Sequence, residues 1–84
     1  MRLTDVAIRK AKPRERAYKL TDGRGLTLLV QPNGAKWWRL RYRMNGVEKM
    51  LSLGVYPDVS LGQARERLDA ARRSIAANVD PSLE

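Results

Sequence analysis

Apolar and polar positions alternate with a period of two through the middle of the chain. Such alternation is typical of strands that bury one face and expose the other. Asp-Gly and Asn-Gly pairs interrupt it at residues 22–23, 33–34 and 45–46, and these pairs supply the positive backbone angles of tight turns. The pattern therefore predicts an antiparallel meander. Its three main strands lie at about 26–30, 36–43 and 48–53, with a candidate short extra edge strand at 18–21.

A helical period follows the meander, after residues 54–60, "GVYPDVS", which we interpret as a loop. Ser60, with Gln63 three positions later, matches a capping box and predicts the start of a long helix. Asn78 can take the left-handed conformation that closes a helix. The apolar residues of this helix recur at spacings of three and four, which predicts a stripe that packs on one face of the sheet. They are Leu61, Ala64, Leu68, Ala71 and Ile75.

The N-terminal segment predicts a second, shorter helix. Thr4 is its candidate N-cap, and we expect Val6, Ala7 and Ala11 to face the core. The predicted fold class is therefore α+β: a three-stranded antiparallel sheet, with the candidate edge strand, packed on one face by a long C-terminal helix and preceded by a short N-terminal helix. We expect one domain over residues 1–79 and a linker that starts within residues 80–84.

The strand at 36–43, "KWWRLRYR", separates its side chains by chemistry as well as by position. One face, which meets the helix, receives Trp38, Leu40 and Tyr42. The opposite face receives Trp37, Arg39, Arg41 and Arg43. Like charges about 7 Å apart on one strand repel each other unless an anion neutralises them. This second face therefore predicts an anionic partner.

The composition also indicates a polyanionic partner. The chain carries 17 Lys and Arg against 9 Asp and Glu, a net charge of +8, and such an excess is typical of proteins that bind nucleic acid. The basic residues concentrate in the N-terminal segment and around the second predicted strand. We expect Lys36 and Lys49 to enlarge the arginine patch, and Arg9, Lys10 and Lys12 to contact phosphates.

The residue types that most catalytic and metal sites require are missing. The sequence contains no cysteine and no histidine, which excludes a thiolate nucleophile, a histidine base and a structural zinc site of the usual kind. We predict no catalytic residue, no metal and no cofactor. Apolar runs fall well short of the roughly 20 residues that span a bilayer, and we expect a cytoplasmic protein without a membrane or small-molecule partner.

The shape of the arginine-bearing face favours double-stranded DNA over RNA. The major groove of B-DNA admits a small sheet, whereas the major groove of an RNA duplex is too deep and narrow. The guanidinium fork of arginine suits phosphate oxygens or the O6 and N7 atoms of guanine. Trp37 is open to two interpretations: an apolar contact with thymine methyl groups, or a structural cover for the sheet edge.

Five segments of the chain together form a recognisable pattern. They are "LTD" at Leu3, "LTDGRGLTLLV" from Leu20, Trp38 with "RYR" at 41–43, "LGVYPDVSLGQAR" from Leu53, and Asp80-Pro81. Over about residues 2–81, the pattern resembles the N-terminal arm-type DNA-binding domain of tyrosine recombinases, the integrases of phages, prophages and genomic islands.

The resemblance implies that the sheet places one face in the major groove of arm-type sites and holds an integrase there during DNA integration and excision. The contacts with DNA would come from the outward strand positions. These are Thr27, Leu29, Arg39, Arg41, Arg43, Met50 and Ser52. Recombinase chemistry would reside in a separate catalytic domain, so we expect this chain to be a non-catalytic DNA-binding domain, encoded by a bacterium or a phage.

Two alternatives remain open. The arginines of the long helix, together with Glu66 and Asp69, form a charged surface that suits a protein-interaction module for assembly with other integrase subunits. An RNA-binding module would instead bind hairpin RNA more strongly than duplex DNA.

Overall fold

Tight turns fold the middle of the chain into an antiparallel sheet, which a computed structural model shows with four strands and with both helices packed on one face. The structure describes residues 2–83. Its elements are α1 (Asp5–Lys10), β1 (Tyr18–Gly23), β2 (Leu26–Val30), β3 (Lys36–Met44), β4 (Val47–Tyr56), α2 (Leu61–Ala76) and a short 3-10 helix (Pro81–Leu83). The strands lie in the order β1-β2-β3-β4. The predicted α+β fold is confirmed.

Two strands are longer than the sequence pattern predicts. The candidate edge strand is a full member of the sheet, since β1 pairs with β2 from Tyr18 to Gly23. β4 continues to Tyr56 and pairs there with the start of β3, so the prediction that residues 54–56 lie in a loop is wrong. The reason is a β-bulge after Ser52, which breaks the two-residue alternation of β4. The strand residues beyond the bulge therefore do not follow the pattern that predicts a strand.

The core lies between the sheet and α2. Every second residue of β2 and β3 is buried, as the alternation predicts. The predicted stripe of α2 meets these residues, with its first four members buried and Ile75 packed against them. Trp38 is fully buried, and its Nε1 donates a hydrogen bond to the Val59 carbonyl at 2.8 Å. The largest core side chain therefore has its one polar group satisfied.

α2 begins at the predicted capping box. The Ser60 hydroxyl accepts a hydrogen bond from the Gln63 N–H at 3.2 Å, and the Ser60 N–H donates to the Gln63 side chain at 2.9 Å. Asn78 adopts the predicted left-handed conformation beyond the helix end, with a φ of 60°. Neither helix among residues 2–83 combines the length and the apolar character needed to cross a membrane.

α1 has the predicted N-cap but a different core face. The Thr4 hydroxyl accepts a hydrogen bond from the Ala7 N–H at 3.1 Å. Val6 and Ala7 are exposed and Ala11 is partly buried, whereas Ile8 enters the core with no exposed surface. A helix of six residues presents few side chains to the sheet, and burying Ile8 removes more apolar area from water than burying Val6 or Ala7. The predicted core residues of this helix are therefore wrong.

Asp22 joins the N-terminal segment, the edge strand β1 and α2. Its carboxylate accepts two hydrogen bonds from the Arg65 guanidinium, at 3.0 and 2.8 Å, and one from the Leu3 N–H at 2.7 Å. Arg65 also donates to the Leu3 carbonyl at 3.0 Å. The hydrogen bonds from Arg65 contribute most to holding the pKa of Asp22 below its usual value. The carboxylate thus stays charged although its side chain is buried.

Asp80 ties the end of the chain to the sheet. Its carboxylate accepts a hydrogen bond from the Tyr42 hydroxyl at 2.6 Å, pairs with the Lys49 ammonium and accepts from the Ser82 N–H at 3.0 Å. The hydrogen bonds from Lys49 and Tyr42 hold the pKa of Asp80 well below its usual value. Asp80 therefore contacts both β3 and β4, and the linker start within residues 80–84 stays a prediction.

Asp22→Asn should lower the free energy of unfolding by about 2 kcal/mol, because it leaves the Arg65 guanidinium without its anion. Breaking a fully buried pair costs about 3–5 kcal/mol. The expected loss is smaller here because Arg65 keeps 30% of its side chain exposed. Urea unfolding measures the change. Asp69→Asn is the matched control, since it removes a half-exposed partner of Arg24 and should change stability by less than about 1 kcal/mol. Equal losses in the two variants would contradict the role of Asp22.

Stability should fall in acid because of Asp22 and Asp80. Their pKa values in the folded state lie below those in the unfolded chain, so their contribution is present above about pH 4 and is lost as the pH falls toward the folded-state pKa. The loss of unfolding free energy between about pH 7 and about pH 3 should be smaller in Asp22→Asn than in the wild type. Asp58→Asn, at an exposed turn position after β4, should retain the wild-type loss. An acid response that is the same in all three proteins would oppose this assignment.

Candidate nucleic-acid interface

The face of the sheet opposite α2 is uncovered in the described part of the chain, and its residues form what we call the open face. They are Lys19 and Thr21 of β1, Thr27 and Leu29 of β2, Trp37, Arg39, Arg41 and Arg43 of β3, and Glu48, Met50, Ser52 and Val55 of β4. Each is partly or fully exposed. Because the set contains four basic side chains and one acidic side chain, the open face attracts anions.

Cross-strand pairing arranges the open face in rows. At one end, Leu29, Trp37 and Val55 are direct neighbours across three strands, and we call them the apolar row. The following rows contain one arginine each. They pair Arg39 with Thr27 and Ser52, Arg41 with Met50, and Arg43 with Glu48. The open face therefore changes from apolar to basic along β3, over about 20 Å for six residues of an extended strand.

Arg39 is the most enclosed arginine of the open face. Its guanidinium carbon lies 5.3 Å from the centre of the Trp37 ring, and its Nη1 contacts the Met50 sulfur at 3.3 Å. Its Nε is buried and has no acceptor among residues 2–83, and a thioether sulfur is a weak acceptor. Trp37 and Met50 thus hold the guanidinium in place while leaving most of its donors for a ligand.

Arg41 and Arg43 are more exposed than Arg39. The Arg41 Nη2 lies 3.4 Å from the Glu48 carboxylate, and the two side chains keep 52% and 64% of their surface exposed. A surface pair of this kind contributes about 0–1 kcal/mol. A phosphate or a base edge can therefore displace Glu48 from Arg41 at little cost.

A β-bulge in β4 determines which residue stands beside Trp37. Trp38 pairs with Gly54 and Arg39 with Ser52, so Leu53 is an extra residue and the alternation of β4 shifts by one residue at this point. Without the extra residue, Gly54 would take the open-face position and Val55 would turn toward the core. The bulge therefore completes the apolar row.

Contacts from α2 and from the loop before it hold the bulge. The Arg67 Nη1 donates a hydrogen bond to the Leu53 carbonyl at 2.9 Å. Gly54 has a φ of 116°, which side-chain-bearing residues rarely adopt. A Cβ at this position would also overlap with the Val59 side chain and lie 3.0 Å from the Arg67 Nη1. The bulge thus requires glycine.

Eight of the residues that the sequence analysis assigns to DNA binding meet on the open face. They are Thr27, Leu29, Trp37, Arg39, Arg41, Arg43, Met50 and Ser52.

Lys36 and Lys49 lie on the helix-covered side instead, and their predicted membership of the arginine patch is corrected. Lys36 Nζ donates to the Ile8 carbonyl at 2.7 Å, and Lys49 pairs with Asp80. The reason is register: Lys36 is two positions from the inward Trp38, and Lys49 is the cross-strand partner of the inward Tyr42.

Arg9, Lys10 and Lys12 are exposed but lie away from the open face. α1 packs on the helix-covered side through Ile8, and the Lys12 carbonyl accepts a hydrogen bond from the Tyr18 hydroxyl at 2.6 Å. These side chains therefore form a basic surface separate from the arginine rows.

Lys19, Thr21, Glu48 and Val55 also belong to the open face, although the sequence pattern does not predict them as site residues. Counting back from the Asn45-Gly46 turn places Glu48 opposite Arg43, so the turn was a usable signal. The open-face positions of Lys19 and Thr21 can be predicted only if β1 is taken as a full strand of the sheet. Val55 reaches the open face only through the bulge, which periodicity does not reveal.

The chain matches the family model described as "Arm DNA-binding domain" over residues 3–84. It belongs to the arm DNA-binding domain family.

Relatives of this arm DNA-binding domain are phage and prophage integrases. The chain is 46% identical over 79 residues to the integrase of Shigella phage Sf6 and to the prophage integrase IntS of Escherichia coli K12. Each of these alignments covers 94% of the chain and 20% of the relative. It is 47% identical over 81 residues to the prophage integrase IntZ of the same organism, with the same coverage. The chain thus spans about a fifth of the length of these relatives.

The acidic side chains of the arm DNA-binding domain that are buried are paired within the chain. Within residues 2–83, no three His, Cys, Asp or Glu side chains group in a way that would hold a metal ion. Asp22 and Asp80, the buried carboxylates of the described residues, are engaged by Arg65 and by Lys49. Family membership fits a non-catalytic domain.

Gly54→Ala should destabilise the domain by about 2 kcal/mol or more, because it combines an unfavourable backbone angle with overlap against Val59. Gly62→Ala is the matched control, since Gly62 lies in the first turn of α2 with its nearest neighbour at 4.0 Å. Its replacement should not destabilise the domain, and the gain should stay below the roughly 0.5–1 kcal/mol of a glycine in a helix interior. Urea unfolding measures both. Similar shifts in the same direction would show that the bulge does not require glycine.

Proposed function

We propose that this arm DNA-binding domain recognises specific sequences in double-stranded DNA by placing its open face in the major groove. The observation that carries the proposal is the line of Arg39, Arg41 and Arg43 on a sheet face that α2 leaves uncovered. Arginine donates in pairs to the O6 and N7 atoms of guanine, the commonest specific contact in the major groove. The family description supports DNA as the ligand.

The dimensions of the sheet agree with this placement. Neighbouring strands lie about 4.8 Å apart, so β2, β3 and β4 together span about 10 Å. The major groove of B-DNA is about 12 Å wide. The three strands that carry the apolar row and the arginines therefore fit across the groove when they run along it, and β1 with Lys19 reaches the groove edge.

Different basic residues have different tasks in this proposal. Arg39, whose guanidinium is held by Trp37 and Met50, is suited to a base edge because its position is restricted. Lys36, Lys49 and the N-terminal basic residues Arg9, Lys10 and Lys12 lie off the open face. We assign Arg9, Lys10 and Lys12 to phosphates that flank the groove, where contacts position the protein without specifying sequence. Lys36 and Lys49 instead stay with the Ile8 carbonyl and with Asp80.

We also propose that the chain is the N-terminal domain of a tyrosine recombinase. In that setting it would hold the integrase on arm-type attachment sites while separate domains bind and cut the core site during integration and excision. The integrase relatives, which are about five times as long as the chain, support this context. The linker that starts within residues 80–84 and a cytoplasmic location on DNA belong to the same proposal.

The protein-interaction alternative receives less support from the structure. Arg65, Arg67 and Arg72 donate to groups of this chain, and Asp69 pairs with Arg24. Arg65 and Arg67 are thus held within the fold, whereas the exposed Arg24–Asp69 pair can be displaced as readily as the Arg41–Glu48 pair. Assembly with other subunits stays a prediction.

Arg41→Ala should weaken binding to the preferred duplex by about 1–3 kcal/mol and relax the preference at one base pair, because a paired contact with guanine is lost. The preferred duplex is first selected from a random pool, and fluorescence anisotropy then measures affinity for it, for a random duplex and for a hairpin RNA at several salt concentrations. The control is Arg73→Ala, which removes the same charge from an exposed position of α2.

Two results would overturn the assignment of Arg41. Equal weakening on the preferred and random duplexes, with a salt slope that is shallower by about 1, would make Arg41 a phosphate contact. A loss of affinity as large in Arg73→Ala would remove the open face from the proposal. Tighter binding to hairpin RNA than to any duplex would contradict DNA as the ligand.

A further inference from the structure

We infer that the open face recognises a two-part DNA site, in which the apolar row contacts thymine methyl groups about three base pairs from the base pair that Arg41 contacts. This inference rests on the proposed function. It goes further by naming the base, thymine, that the apolar row recognises.

The chemistry of the apolar row selects its partner. Val55 is 43% exposed, and Leu29 and Trp37 are partly exposed, so three adjacent apolar side chains face outward. Base edges in the major groove are polar with one exception, the C5 methyl group of thymine. An apolar surface placed against hydrogen-bonding edges would leave those edges unsatisfied. Thymine is therefore the base whose edge complements this row.

The spacing follows from β3. Trp37 and Arg41 lie on the same face four residues apart, which corresponds to about 13–14 Å along an extended strand. Successive base pairs of B-DNA are about 3.4 Å apart along the axis. Because the groove winds around the axis, a strand that follows it advances along the axis by less than its own length. With β3 aligned along the groove, a contact of Trp37 and a contact of Arg41 are therefore separated by about three base pairs.

The surroundings of the apolar row favour DNA over a second protein. Lys19 pairs with Leu29 at one end of the row, and the Arg39 guanidinium lies against the Trp37 ring. A protein that covered the row would have to bury both charges, which is costly without anionic partners. DNA supplies phosphates beside the groove, so it can cover the row and neutralise these charges together.

The test replaces single thymines of the preferred duplex with deoxyuridine, which removes the methyl group and keeps the base pair. Wild-type protein should bind about fourfold more weakly when a contacted thymine is replaced, the effect expected for losing the burial of one methyl-sized group. In Val55→Thr, which keeps the side-chain shape but replaces one methyl group of the row by a hydroxyl, the same replacement should have a smaller effect. Trp37→Ala, with its folding checked by urea unfolding, should behave in the same way.

Val47→Thr is the matched control, because Val47 is exposed at the start of β4 but is the cross-strand partner of the buried Met44. It should retain the wild-type response to deoxyuridine. The inference is overturned if no thymine methyl group affects binding, or if Val55→Thr retains the full effect. If the protein self-associates, Val55→Thr abolishes the self-association, and deoxyuridine does not change DNA binding, the apolar row binds a second copy of the chain instead. Failure to bind any duplex would instead overturn the proposed function.

Discussion

The packing of α2 against one face of the sheet is the constraint on which the rest of the molecule depends. The apolar stripe of α2 can be buried only if neighbouring strands all turn their apolar side chains toward the helix. Because side chains alternate along a strand, this choice also fixes which side chains lie on the open face. In β3, the inward residues are Trp38, Leu40 and Tyr42, so the arginines between them face outward. A slip of one residue would bury those arginines without partners, which makes the alternative register very unfavourable. The interface is therefore a consequence of the core.

The arginines of this domain fall into two groups according to their partners. On the helix-covered side, Arg65 binds a buried carboxylate and Arg67 a backbone carbonyl, so their charges hold the fold together. On the open face, Arg39 has a sulfur for a partner and Arg41 has an exposed carboxylate. Both of these are weak partners. The net charge of +8 therefore describes the ligand surface poorly by itself, because it also counts arginines of the first group, which are engaged within the fold.

Features that depend on local periodicity and on caps could be predicted from the sequence, whereas the end of β4, where one extra residue changes the register, could not. The inward residues of β3, the capping box at Ser60 and the arginine face all follow from short-range patterns. Lys36 and Lys49 were assigned by charge, although alternation and the Asn45-Gly46 turn already place them on the other face. The end of β4 could not be predicted, because a bulge depends on a backbone angle and on a contact from α2. Charge composition is thus a weaker guide to a sheet face than turn register.

The bulge shows how a contact in the core can control what the interface recognises. Arg67 binds the Leu53 carbonyl from the helix-covered side, and this hydrogen bond supports the one-residue shift that turns Val55 outward. Trp37 then has an apolar neighbour on each side, and its ring also restricts the Arg39 guanidinium. The same indole therefore belongs to the apolar row and to the basic part of the open face. For that reason a change in the bulge should alter more than the packing of β4: it would also change the support of Arg39, and the apolar and basic parts of the open face cannot vary independently.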